Sequence, residues 1–179
     1  MLDAYFRETP LSGIGVVVAL LLATTLAAVA LRTGTVSPLR VWLYAAALGS
    51  YAAVTMMPGA LDQGWRWVSP LGLHVDPPRW DALLTGIDSR SLNVWAGLAL
   101  GASAVLLSLE LRQWWPSLVV LAAPWLVEWW QAVMPTARDG LSGEDVGDNL
   151  YGIAVGAVIG LLLHAGLVLV ERRAGTHDV

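Results

Sequence analysis

Residues 11–31 of this 179-residue chain, LSGIGVVVALLLATTLAAVAL, carry no charged side chain, and the run ends at Arg32. A helix rises about 1.5 Å per residue, so this stretch alone reaches across a hydrocarbon core of about 30 Å. Four more apolar stretches follow, at 41–57, 92–109, 115–134 and 149–170. Five crossings leave little chain for a separate soluble domain. The composition agrees: 56% of residues are hydrophobic and 13% charged, where a soluble domain has about a quarter charged. The sequence therefore predicts an all-α fold, a polytopic membrane bundle of about five transmembrane helices.

Three parts are expected along the chain: an N-terminal segment, 1–40, with an additional transmembrane helix; a helical membrane domain, 41–170; and a short polar tail, 171–179. The first ten residues hold Asp3 and Glu8 against Arg7 and lack the positive start of a signal peptide. The first helix is therefore expected to be retained, although Ala28-Val29-Ala30 has the small-residue form of a cleavage site.

Composition also removes several kinds of chemistry. There is no cysteine, the ten basic residues are all arginine, and the three histidines, His74, His164 and His177, stand far apart. Thiolate metal sites and cysteine nucleophiles are excluded, and histidine-rich metal clusters are not expected. A net charge of −4 provides no basic footprint for nucleic acid. Asp145-Val-Gly-Asp148 matches a fragment of a calcium loop but not its twelve-residue ligand pattern, so neither a metal nor another cofactor is expected.

Between the second and third stretches, Pro58 to Ser91, which holds several prolines and tryptophans, is too apolar to be a free linker. Pro78 can open a short helix in which Trp80, Leu83, Leu84 and Ile87 share one face, lying at the membrane interface; an ordinary loop over the helix ends is the other reading. Trp114, Trp115, Trp129 and Trp130 bracket the fourth stretch as interfacial anchors do, and Pro124 near its middle is expected to kink it. The arginines divide evenly between the two sides. Arg32, Arg40, Arg112, Arg172 and Arg173 crowd against helix ends in short segments, which places the C-terminus in the cytoplasm by the positive-inside rule.

Polar residues at membrane depth are the candidates for function. Glu128 and Gln131 lie on one face of the fourth stretch, and a carboxylate there needs a partner or a proton. Pairing with Arg138 as a mere helix lock is one reading. The acidic loop 135–150 leads into the fifth stretch, where Asp145, Asn149, Gly152, Gly156 and Gly160 form a helical stripe. Asn93, Gly97 and Gly101 repeat the pattern in the third stretch. Such glycine tracks let two backbones approach closely, and would bring Asn93 and Asn149 to one end of the bundle. Either asparagine is also a good helix cap.

Glu128-Trp-Trp-Gln131, Pro135, Arg138, Asp145, Asn149, Gly152 and Gly156 together resemble the signature of the VanZ-like family of bacterial membrane proteins. Asn93 to Gly101 resembles the family's preceding helix, and Thr55 with Pro58 loosely matches the end of its first core helix. The resemblance covers roughly residues 45–168, with Ala99 where the family usually has proline and the helix at 11–31 as an addition. It implies an integral membrane protein of the cell envelope and, for the namesake, a link to resistance against the glycopeptide teicoplanin; it implies no defined catalytic activity.

Two functional readings follow. In the first, Asn93, Glu128, Gln131, Arg138, Asp145 and Asn149 form a ligand site at one end of the bundle, Arg138 gripping an anionic group of a lipid-linked envelope component through its planar fork. In the second, the same groups are a structural latch in a non-catalytic scaffolding or binding partner. A transporter is disfavoured, since five spans leave little room for two repeats. No serine or histidine motif marks a nucleophile.

Overall fold

The computed structural model describes residues 10–56, 69, 74–81, 83–84, 88–134 and 142–175. Five helices form among them, α1 (Pro10–Thr33), α2 (Pro38–Met56), α3 (Ser89–Leu111), α4 (Trp115–Val133) and α5 (Gly143–Gly175), with no strand among the described residues.

Their boundaries follow local chemistry. Proline opens α2, where its missing donor costs nothing. Gly34, at φ +64°, ends α1 by donating its N–H to the Ala30 carbonyl at 2.9 Å; glycine takes this left-handed conformation without steric cost. A capping box starts α3: the Asp88 carboxylate accepts from the Ser91 N–H and the Ser91 hydroxyl accepts from the Asp88 N–H, each at 2.8 Å. Helix α5 has Glu144 and Asp145 in its first turn and Arg172 and Arg173 in its last, the charge order that a helix dipole favours.

Helices α1, α3 and α5 are long and apolar enough to cross a membrane, which marks the chain as membrane-embedded but is fewer than the five crossings expected. Each of the other two has 19 residues, about 28 Å of helix, and each carries polar ballast. Helix α2 includes Arg40, Tyr44 and Tyr51, and α4 includes Glu128 and Gln131 with two prolines.

The tightest packing joins α3 and α5, which run parallel along the two glycine tracks. A Cβ built on Gly97 would lie 2.3 Å from the Asn149 carbonyl oxygen, one on Gly101 2.1 Å from that of Ile153, and one on Gly156 2.1 Å from that of Leu98. Gly152 likewise meets the Val94 carbonyl oxygen at 2.1 Å, and Gly160 that of Ala102 at 2.8 Å. No other residue type fits such approaches. Helix α4 runs antiparallel to α3, its Ser117 hydroxyl 2.9 Å from that of Ser108. Helix α2 lies parallel to α4, with Tyr44 donating to the Pro116 carbonyl at 3.3 Å. The buried core draws on α2, α3, α4 and α5, with Tyr44, Leu100, Leu107, Val120, Val127 and Ile153 among its members. Helix α1 packs antiparallel on α2 from outside, where Gly49 faces Ala19.

Two expectations change. The acidic segment is not a loop throughout, because α5 begins at Gly143 and Asp145 and Asp148 stand on its first turns. The helix expected from Pro78 is not formed among the described residues: 80–81 and 83–84 make a turn closed by Leu84 N–H on the Asp81 carbonyl at 2.8 Å. Arg79 holds this segment instead, with its N–H on Asp148 at 2.7 Å and its guanidinium on Asp81 and Asp88, leaving Trp80 and Leu84 exposed. Ile87 lies outside the described residues. Helix α4 continues through the buried Pro124.

Candidate functional site

The parallel pairing of α3 and α5 puts their polar first turns side by side. Asn93 donates its amide to the Asp145 carboxylate at 2.7 Å. One turn away on each helix, Arg90 grips Asp148 in a fork, Nε to Oδ2 at 2.7 Å and Nη2 to Oδ1 at 3.1 Å, and reaches Glu144 at 3.3 Å. Asp148 is wholly buried. A buried carboxylate survives only when paired and hydrogen-bonded; here the guanidinium fork and the Arg79 N–H satisfy it.

Helix α4 enters the same layer from its C-terminal end. The buried Glu128 carboxylate accepts from the Ser142 N–H at 2.8 Å, and the Ser142 hydroxyl accepts from the Asp145 N–H at 3.2 Å. Glu128 therefore fixes the start of α5 by holding the residue that caps it. Gln131 and Trp130 turn to α2, donating to the carbonyls of Thr55 and Met56 at 2.8 Å each.

The structure thus gathers Asn93, Asp145 and Asn149 with Glu128 attached through Ser142, and places Gln131 at the end of α2. Arg138 lies outside the described residues, as do Pro58 and Pro135. Asn149 donates its side-chain amide to the Asp145 carbonyl at 2.8 Å, but its own buried oxygen Oδ1 has no partner among the described residues. Neither asparagine occupies an N-cap position, since α3 is capped by Asp88 and both stand inside their helices.

Three participants escape a reading of the sequence. Arg90 and Asp148 carry a detectable signal, one turn before Asn93 and one turn after Asp145, but they lie 58 residues apart and their pairing depends on how two separate helices align. The third is Tyr51 on α2, 6% exposed, whose hydroxyl has no hydrogen-bond partner among the described residues. Its ring belongs to the buried cluster that includes Ile153 of α5, one turn beyond Asn149. A tyrosine in the middle of an apolar stretch is the signal that could have marked it.

Outside the spans, the Asp88 carboxyl is held below the usual carboxylate range, chiefly by the Ser91 N–H and then by Arg79, whose own guanidinium is pushed up by Asp88. Among the described residues no three acidic or histidine side chains are grouped to hold a metal ion. His164 is half-buried on α5 and not in the core.

An apolar groove of about 940 Å³ runs along α1 and α2. Leu22, Tyr44, Leu48, Ala52 and Met56 line it, with Trp115 at the far end. A smaller hollow of about 310 Å³ lies at the opposite end from the polar layer, beside Gly34, Ser37 and Glu110. Neither is lined by Asn93, Glu128, Asp145 or Asn149. The groove ends beside the polar layer, since Met56 lines it while its carbonyl accepts from Trp130.

No family model, no curated protein and no solved structure matches this chain.

Proposed function

We propose that this chain is a VanZ-like integral membrane protein of the bacterial cell envelope that binds a lipid-linked envelope component, with its apolar chain along α1 and α2 and its polar headgroup at the layer where α2, α3, α4 and α5 meet. The observation that carries this reading is the shared position of Met56, at once a wall of the apolar groove and a tie to α4. A groove with apolar walls inside the hydrocarbon takes a lipid chain at no desolvation cost. Ligand sites between helices commonly combine such walls with a few polar groups that fix orientation.

In this account Arg138 supplies the grip on an anionic part of the headgroup. Five helices cross the membrane in alternating directions, the C-terminus faces the cytoplasm and the polar layer faces outward. A link to glycopeptide resistance follows from the family resemblance and forms part of the proposal. The test is Arg138→Lys: retention of an anionic lipid should fall about tenfold while the unfolding temperature in detergent stays unchanged. Equal retention, or loss of folded protein in parallel, would overturn the role given to Arg138.

A second reading is favoured by one specific observation. Arg90 and Asp148 are joined by a bidentate pair in which the carboxylate is wholly buried. That pair is a latch between α3 and α5, and in the scaffolding reading the entire layer serves this purpose.

A further inference from the structure

Buried polar atoms in folded proteins almost always find a partner, and each exception calls for an explanation. Two exceptions stand in or beside the polar layer. The Tyr51 hydroxyl and the Asn149 Oδ1 belong to side chains 6% and 4% exposed, and neither atom has a hydrogen-bond partner among the described residues. Asn149 cannot relieve its oxygen by rotating the amide, because the other end already donates to the Asp145 carbonyl at 2.8 Å; reversal would set oxygen against oxygen. Tyr51 stands on α2 one turn before Thr55, whose carbonyl accepts from Gln131, and belongs to the same buried cluster as Ile153, one turn beyond Asn149 on α5.

We infer that Tyr51 Oη and Asn149 Oδ1 recognise a hydroxyl group on the headgroup of the bound lipid, an inference that rests on the lipid-binding reading above. The donor and acceptor inventory selects the ligand. The Asn149 oxygen accepts only, so its partner must bring a proton, whereas the Tyr51 phenol both donates and accepts. A ligand hydroxyl donates to Asn149 and accepts from Tyr51 through one atom. An ionised phosphate oxygen has no proton for Asn149, and a choline has no N–H at all. A primary ammonium donates to both but leaves the phenolic proton without an acceptor. Sugars and glycerol both supply the required group. In a lipid they come from a glycosylated diacylglycerol or from phosphatidylglycerol.

The energetics add a signature that a structural tyrosine would not have. Removing an unpartnered buried hydroxyl relieves the ligand-free protein, while the same change deprives the bound ligand of a partner. Stability and binding should therefore move in opposite directions in Tyr51→Phe.

The experiment uses the full chain in phosphatidylcholine nanodiscs, alone or doped with glucosyl-diacylglycerol, phosphatidylglycerol or phosphatidylethanolamine, with unfolding temperature and retained lipid as readouts. For the wild type, a hydroxylated lipid should raise the unfolding temperature, and whichever of the two does so more identifies the sugar or the glycerol as the source. Tyr51→Phe should unfold at a higher temperature in phosphatidylcholine alone and bind the hydroxylated lipid about tenfold more weakly. Asn149→Ser should show the same loss of lipid preference. A lower unfolding temperature for Tyr51→Phe in phosphatidylcholine alone would mean that the hydroxyl is satisfied by water in a structural role, and would overturn the inference. So would preference for phosphatidylethanolamine, or a lipid preference unchanged in both variants. If no doped lipid stabilises the wild type, the lipid-binding reading itself fails; stabilisation that both variants retain fails this inference alone.

Discussion

Asp148 has no contact with solvent, and its charge is balanced by an arginine whose side chain is 29% exposed. Removing one partner of such a pair strands the other, at a cost of about 3 kcal/mol when the partner is largely buried. Asp148→Ala should therefore lower the stability of the detergent-solubilised protein by about that much, measured by thermal unfolding, and Arg90→Met in the same background should recover part of the loss. Asp88 makes a different prediction. Its carboxyl is held low by the Ser91 N–H and by Arg79, so its contribution to stability is complete above the ordinary carboxylate range of about pH 4 and disappears as pH falls through its lowered value in the folded state. Asp88→Asn retains the capping geometry without titrating. An unfolding titration from neutral to acid pH should show a shallower acid decline for the variant than for the wild type, and equal declines would assign the acid sensitivity to other groups. Placement of Asn93 and Asn149 at one end of the bundle is legible in the sequence, because spacing along each helix determines it. The partnership of Arg90 with Asp148 and the arrival of Tyr51 are not, because they depend on the alignment of separate helices.

At the scale of elements, the glycine tracks of α3 and α5 turn a spacing rule into a contact. Gly156 and Gly166 stand on the same helix in opposite circumstances: a Cβ on Gly156 would sit 2.1 Å from the Leu98 carbonyl oxygen, and one on Gly166 would meet nothing within 4 Å. Alanine is the better helix former by about 0.5–1 kcal/mol. Gly166→Ala should therefore raise thermal stability slightly, whereas Gly156→Ala should lower it by more than that gain, since α3 must shift as a body. Equal effects at the two positions would contradict the close packing. The apolar stretches are well located by the sequence, but the start of α5 is not, and the segment after Pro78 follows the loop reading among its described residues. Helix α5 starts earlier than its apolar run, because the cap at Ser142 and the acidic first turn are themselves helix-forming features. The segment after Pro78 has a helical apolar pattern but spends its hydrogen bonds on Asp148 and Asp88 through Arg79, and these partners are invisible to local periodicity.

At the scale of the whole molecule, four helices converge on a polar layer at one end, and α1 leaves an apolar groove against α2 that ends beside that layer. Membrane residence is legible in composition alone. The groove is not, because it arises from the way α1 lies on α2 and from no residue pattern in either. If groove and layer together hold one lipid, that lipid stays with the purified chain, where mass spectrometry detects it. The wild type should carry lipid through purification, while Ala52→Trp, which fills the groove wall, should lose it and keep its unfolding temperature. A wild type purified without lipid, or an Ala52→Trp variant that retains as much as the wild type, would contradict the account.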